Sequence, residues 1–265
     1  MTNSLKSALL VATLYGVATL GFLAQAQPAS FGLEPTRVEL SATPGAVLNV
    51  PVRLFTHASA VPIGLVTGKN DFTLTPDHKG IDFKAGTLDR SAAAWLTVTP
   101  SDPSIPPQGE VKVTLRVAVP ADAKLNGTYW ALVDFAPSKV DAAPGGLAIR
   151  THLQMAVYIN VGKVNMAAQV GSLKFDAVNH QFTYQLDNKG NALLRPRGAL
   201  TLLNSDGQKI ATLDVPDFPI LPGGKASGAV PLPSTLHPAA GAYIAILTFS
   251  QEGLKPVAAQ ATVQL

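Results

Sequence analysis

The chain has 265 residues, of which 14% are charged and 47% hydrophobic, with a formal net charge of +3 and no cysteine. So small a charge, scattered without a basic stripe, argues against a nucleic-acid partner. The lack of cysteine excludes a disulfide scaffold, a thiolate metal site and a lipid-modified cysteine, while 21 prolines and 22 glycines suit a turn-rich β-protein better than a helical one.

Residues 1–26 read as a secretory signal peptide. "MTNSLK" is a short basic start, "SALLVATLYGVATLGFL" an apolar run, and "AQA", Ala24–Ala26, a small-residue cleavage site. An uncleaved membrane anchor is the alternative. No later apolar stretch is long enough to span a bilayer, so the mature chain is expected in the periplasm or at the cell surface, with no transmembrane segment after leader cleavage.

Residues 27–161 read as a first β-domain. "LEPTRVEL" (Leu33–Leu40) is one strand with Val38 and Leu40 inward and Arg37 on the opposite parity. "VLNVPVRLF" is a second, where Pro51 signals an edge or bulge. "NDFTLTPDHKGIDFKAG" reads as short strands and turns, and "AAWLTVTP" as a strand carrying Trp95 before the turn "SDPSIPPQG". In "VKVTLRVAV", Val111, Val113, Leu115, Val117 and Val119 alternate with Lys112, Thr114 and Arg116. "GTYWALVDF" follows, with Tyr129, Ala131 and Val133 on one side, and then the loose turn "SKVDAAPGG". "LAIRTHLQMAVYINV" (Leu147–Val161) closes the domain. Its fifteen residues keep one parity apolar, well beyond the usual strand of ~5–6.

Residues 162–265 read as a second β-domain. Its strands are "VNMAAQV", "QFTYQL", "GALTLL", "QKIATLDV", "ASGAVPL", "GAYIAILTF" and "VAAQATVQL", with hairpin turns at "DNKGN" and "NSDGQ". The phrase Gly127–Phe135 returns 114 residues later as Gly241–Phe249. Ile105, Pro107 and Gly109 return as Ile220, Pro222 and Gly224 at a spacing of 115. That spacing is a domain length, whereas solenoid repeats run ~20–50 residues. The fold class is all-β: two tandem immunoglobulin-like β-sandwiches, with barrels as the alternative.

Chemistry-bearing motifs are sparse. His57, His78, His152, His180 and His237 show no metal-ligand spacing, and Asp77, His78 and Asp82 share one polar turn. No G-x-S-x-G elbow, P-loop or paired-carboxylate motif is present. The chain therefore reads as a non-enzyme without metal or cofactor. Trp95 and Trp130 fit core packing better than a carbohydrate platform. Asn126, in "NGT", opens the tyrosine strand as a turn. "RPR" (Arg195–Arg197) fits a solvated strand end better than an anion site.

Two tandem immunoglobulin-like domains behind a signal peptide, without cysteine, resemble the periplasmic pilus chaperones of the PapD type. "LEPTRVEL" is similar to that family's first strand and puts Arg37 at its arginine. "IPPQGEVKVTLRV", "GTYWALVDF" and "LAIRTHLQMAVYINV" match its later turn and strands. The resemblance implies a chaperone that lends a strand to a secreted, pilin-like subunit. Leu147, Ile149, Thr151 and Leu153 would donate, and Arg37 would hold the subunit's terminal carboxylate. The family pairs its arginine with a lysine on the last strand, where this chain has Ala156. "WLTVTPSDPSIPPQGEVKVTLRV" also resembles the immunoglobulin-like modules of bacterial surface proteins, which would imply a structural or adhesive protein with cell-envelope partners.

Overall fold

The computed structural model describes residues 30–139, 152–236 and 238–265. The first part of the chain forms β1 (Gly32–Glu34), β2 (Arg37–Ala42), β3 (Val47–Phe55), β4 (Ile63–Leu74), β5 (Gly80–Lys84), β6 (Leu96–Thr99), β7 (Ser104–Ile105), β8 (Glu110–Ala118), β9 (Gly127–Pro137) and β10 (Leu153–Val161). The second part forms β11 (Ala168–Asp176), β12 (Gln181–Asn188), β13 (Arg197–Leu203), β14 (Lys209–Val215), β15 (Lys225–Pro231), β16 (Ala242–Gln251) and β17 (Leu254–Gln264).

These strands make two sandwiches. In the first, a β1-β3-β8-β6 sheet faces a β2-β10-β9-β4-β5 sheet, with β7 beside β4. In the second, β11-β12-β15 faces β14-β13-β16-β17. Each has its own apolar core, one built around Leu54, Leu115, Phe135 and Ile159, the other around Phe182, Leu200, Leu247 and Phe249. Alternation is the cause: on β8, Val113, Leu115 and Val117 are buried while Lys112, Thr114 and Arg116 are exposed.

The sequence repeat is a repeat of geometry. The Gly109 N–H donates to the Pro106 carbonyl at 3.1 Å, and the Gly224 N–H donates to Leu221 at 2.8 Å. The residue before each glycine has positive φ, 48° at Gln108 and 73° at Gly223. Each glycine carbonyl then accepts a strand-end N–H at 2.9 Å, from Thr56 or from Asn188. Ile105 and Ile220 are both buried beneath these turns. The two tyrosine strands are both interior, β9 between β10 and β4, and β16 between β13 and β17.

Three expectations need correction. "LEPTRVEL" is two strands in two sheets: β1 pairs antiparallel with β3, and β2 pairs parallel with β10. Pro35, lacking an N–H, cannot continue the ladder between them. Residues 63–74 form one long strand, β4, unread at its start because the polar run "TGKN" breaks the apolar alternation. Ala93–Trp95 is a 3-10 turn rather than strand. Pro51 does lie where β3 is bonded to β8 but not to β1, which tolerates its missing donor.

β9 is buried on both faces. Ala131, Val133 and Phe135 enter the first core. Trp130 and Leu132 join Phe72 and Tyr158 in a separate apolar seam, completed by Leu193 and Leu221 from the second sandwich. The Trp130 Nε1–H donates to the Phe72 carbonyl at 2.7 Å. Polar bonds run along the seam. The Thr128 N–H donates to the Asn191 carbonyl at 2.8 Å, and the Leu193 N–H donates to Thr128 Oγ1 at 2.7 Å. Asn191 Nδ2 donates to Asn126 Oδ1 at 3.0 Å, and the Ser227 N–H to the Pro76 carbonyl at 2.7 Å. Gly127 is required by this approach: its φ is +81°, and a Cβ there would lie 2.2 Å from the Asn191 carbonyl oxygen.

Candidate functional site

The site begins where the first strand changes sheet. From Ala156 to Val161, β10 is bonded on both sides, to β9 and to β2. Among the described residues, Leu153–Met155 pair only with β9, opposite Phe135, Asp134 and Val133. The chain that could continue β2 backwards along this edge has left as β1 for the opposite sheet. The last bond on the β2 side runs from the Ala156 N–H to the Thr36 carbonyl at 3.1 Å. Arg37 also lines an open cleft of about 600 Å³, together with Leu33, Glu34, Pro35, Thr36 and Phe55.

Free N–H and C=O groups on a sheet edge are a template for an added strand. β2 runs parallel to β10. A chain laid in line with β2 and in its direction would end against the start of β2, with its C-terminus at Thr36 and Arg37.

Arg37 is on the outer parity, as its spacing from buried Val38 predicts. Its side chain is 52% exposed, and its Nε lies 3.2 Å from Glu39 Oε1. That same oxygen accepts a bond from Arg195 Nε at 2.5 Å. Arg195 belongs to the second sandwich, and its side chain is 14% exposed. The expectation that "RPR" is a solvated strand end is therefore corrected for Arg195, although Arg197 is exposed. The seam buries Leu193 and draws Arg195 after it. Its guanidinium lies 5.4 Å from the Tyr158 ring centroid, and its backbone N–H donates to Gln251 Oε1 at 2.6 Å. Burial pushes the Tyr158 phenol above its ordinary pKa, with the nearby Arg195 charge opposing that rise.

Ala156 sits directly across from Arg37 in the ladder, and its methyl packs against the seam. Of the expected donor residues, Leu147, Ile149 and Thr151 lie outside the described residues. Leu153 opens β10 and is half-buried against the core of its own sandwich. Glu39 and Tyr158 escaped the sequence reading, and Arg195 was singled out there only as part of a solvated strand end. The Glu39–Arg195 contact spans 156 positions, and no local pattern announces it.

Elsewhere the polar groups have local roles. Asp77 is held down to about 2 by its bond with Lys79. The His78 ring packs 4.7 Å from Phe218 across the seam, and burial lowers its pKa. Trp95 and Trp130 are both buried. Among the described residues there is no group of three candidate metal ligands, and no helix is long and apolar enough to cross a membrane.

No protein-family model matches the chain, and no curated protein matches it. Solved structures do. The class 5 fimbriae chaperone CfaA covers 87% of this chain with 98% of its own, at 13% identity and a TM-score of 0.50. The fold is that of the PapD-like pilus chaperones. A chain of the CsuC–CsuE chaperone–tip adhesion subunit pre-assembly complex from Acinetobacter baumannii is similar over 88% of this chain and 98% of its own, at 12% identity and a TM-score of 0.44. The CupB2 chaperone of Pseudomonas aeruginosa is similar over 86% and 98%, at 12% identity and a TM-score of 0.39. On this pilus-chaperone fold, the cleft, the open edge and Arg37 all lie in the first sandwich, and Arg195 reaches them from the second.

Proposed function

We propose that this protein is a periplasmic chaperone for secreted, pilin-like subunits, which it holds by strand addition. The leader at residues 1–26 would export it. The subunit's last segment would lie along β10 and the residues before it, with Leu147, Ile149, Thr151 and Leu153 as donors and the terminal carboxylate at Arg37. No catalytic step and no cofactor enter this reading. The observation that carries it is the edge at Leu153–Met155, unpaired on the β2 side among the described residues, near an exposed arginine. Main-chain bonds along such an edge supply affinity, and alternate side chains supply fit. A guanidinium offers two parallel donors to a carboxylate.

The test is capture of chains from the periplasm of a host that expresses the protein, followed by identification of what co-purifies. Arg37→Ala, at a half-exposed side chain, should change folding stability by less than about 0.5 kcal/mol while weakening capture. Ile149→Asp would set a charge in the partner's core and should cost several kcal/mol of binding. Undiminished capture by both variants would remove strand donation, and misfolding of free Ile149→Asp would assign Ile149 to the protein's own core.

A further inference from the structure

One carboxylate oxygen, Glu39 Oε1, stands between two guanidinium groups that come from different sandwiches. Among the described residues it is the only acid paired with either arginine. We infer that Glu39 is an internal stand-in for an incoming carboxylate, and that Arg195 is the second cation of the site which Arg37 begins. This rests on the reading that an extended chain ends at Arg37.

Three observations support it. First, β10 itself brings no charge: the residue opposite Arg37 is Ala156, whose side chain is spent on the seam. Second, Arg195 is pre-positioned. Its backbone is tied to Gln251, its guanidinium lies on Tyr158, and most of its side chain is buried. Tyr158 pairs directly with Glu39 in the parallel ladder, so the phenol, the carboxylate and both arginines meet on one face of the sheet. The electrostatic neighbours of the Tyr158 hydroxyl are the same three residues, Arg195, Glu39 and Arg37. Third, among the described residues the charges do not balance: two cations share one anion, and one of those cations, Arg37, lines an open cleft.

A half-exposed ion pair such as Arg37–Glu39 is weak, because water screens it and two flexible side chains must be held. The Glu39 carboxylate is 41% exposed, and its bond to the mostly buried Arg195 guanidinium is the one an incoming carboxylate must replace in kind. A chain-terminal carboxylate arriving with its own strand would take its place and accept bonds from both guanidiniums. The bound chain would then touch both sandwiches at once.

The test uses the full-length mature protein and two probes. One is an alternating Val/Thr ten-residue peptide, supplied with a free C-terminal carboxylate and as its C-terminal amide. The other is N-acetyl-valine, a carboxylate with no strand to add. Peptide binding is read by fluorescence anisotropy, and the Nε–H resonances of Arg37 and Arg195 by NMR. Glu39→Gln should tighten the free-acid peptide roughly tenfold, about 1.4 kcal/mol, and leave the amide unchanged. In that variant N-acetyl-valine should shift both Nε–H resonances. Arg195→Gln should erase the preference for acid over amide, and Arg195→Lys should restore part of it if the seam is intact. The inference is overturned if Glu39→Gln weakens the acid peptide or moves both forms alike, or if N-acetyl-valine shifts Arg37 alone. If neither peptide form binds but N-acetyl-valine shifts both arginines, strand addition fails and the two-arginine site stands. If both forms bind equally and N-acetyl-valine shifts neither resonance, strand addition stands and the site fails.

Discussion

Leu193→Asp should part the two sandwiches while leaving each folded. Leu193 is 7% exposed and belongs to the seam, not to either sandwich core. Removing the leucine forfeits about 1.5–3 kcal/mol of burial. Enclosing an unpaired carboxylate in its place would cost several kcal/mol more. Opposing this are three backbone hydrogen-bond donors that cross the seam, from Thr128, Leu193 and Ser227. At about 0.5–1.5 kcal/mol net each, they hold no more than about 4.5 kcal/mol together. The Glu39–Arg195 pair, half-exposed at the carboxylate but mostly buried at the guanidinium, adds more than the ~0–1 kcal/mol of a fully exposed pair. The other apolar members, Phe72, Trp130, Leu132, Tyr158 and Leu221, also resist opening, so the aspartate, which outweighs the polar contacts, should open the seam around Trp130 rather than be buried in it. The chain has two tryptophans, Trp95 in the first core and Trp130 in the seam. Emission of Leu193→Asp should shift to the red and become accessible to iodide, with far-UV circular dichroism unchanged. Adding Trp130→Phe should abolish that shift, because Trp95 does not report on the seam. If Trp130 stays blue and protected in Leu193→Asp, the seam does not depend on Leu193 and the argument fails.

Other outcomes follow from single positions. Gly127→Ala should cost roughly 3 kcal/mol, since its Cβ would meet the Asn191 carbonyl oxygen, whereas Gly207→Ala, with φ +77° but open space around it, should cost only about 1–2 kcal/mol; urea midpoints of the two variants decide. Asp134→Asn should raise the melting temperature at pH 7. Burial pushes the Asp134 carboxyl above its ordinary value, so ionisation opposes folding above that raised pKa, and the advantage of asparagine should fade as pH falls and the aspartate protonates. A melting difference constant from pH 7 to pH 3 would count against burial as the cause. Residues 27–161 and 162–265, expressed apart, should each give folded β-spectra, because the two cores share no residue. Failure of both pieces, with the whole chain folded, would make the seam obligatory.

Much of the architecture is written locally. A strand's side chains alternate because of backbone geometry alone, so the inward faces of β8 and β2, and the repeated Ile-x-Pro turn, can be read from runs of a few residues. Alternation cannot say which strands pair. Val38 faces inward under any pairing, but only the packed sandwich decides that its strand leaves β1 at Pro35 and runs parallel to β10. "GTYWALVDF" is apolar on both parities, a trace in the sequence of the second buried face that Trp130 and Leu132 present. What covers that face, Leu193 and Leu221, lies far along the chain in residues that read as an ordinary second domain. Arg195 was the hardest to foresee. A charged side chain at a strand start is soluble by default, and what buries this one is the docking of two preformed surfaces. That docking is settled by the summed apolar contacts of the seam, whose members lie scattered from Phe72 to Leu221, and only then does Glu39 find a partner 156 residues away.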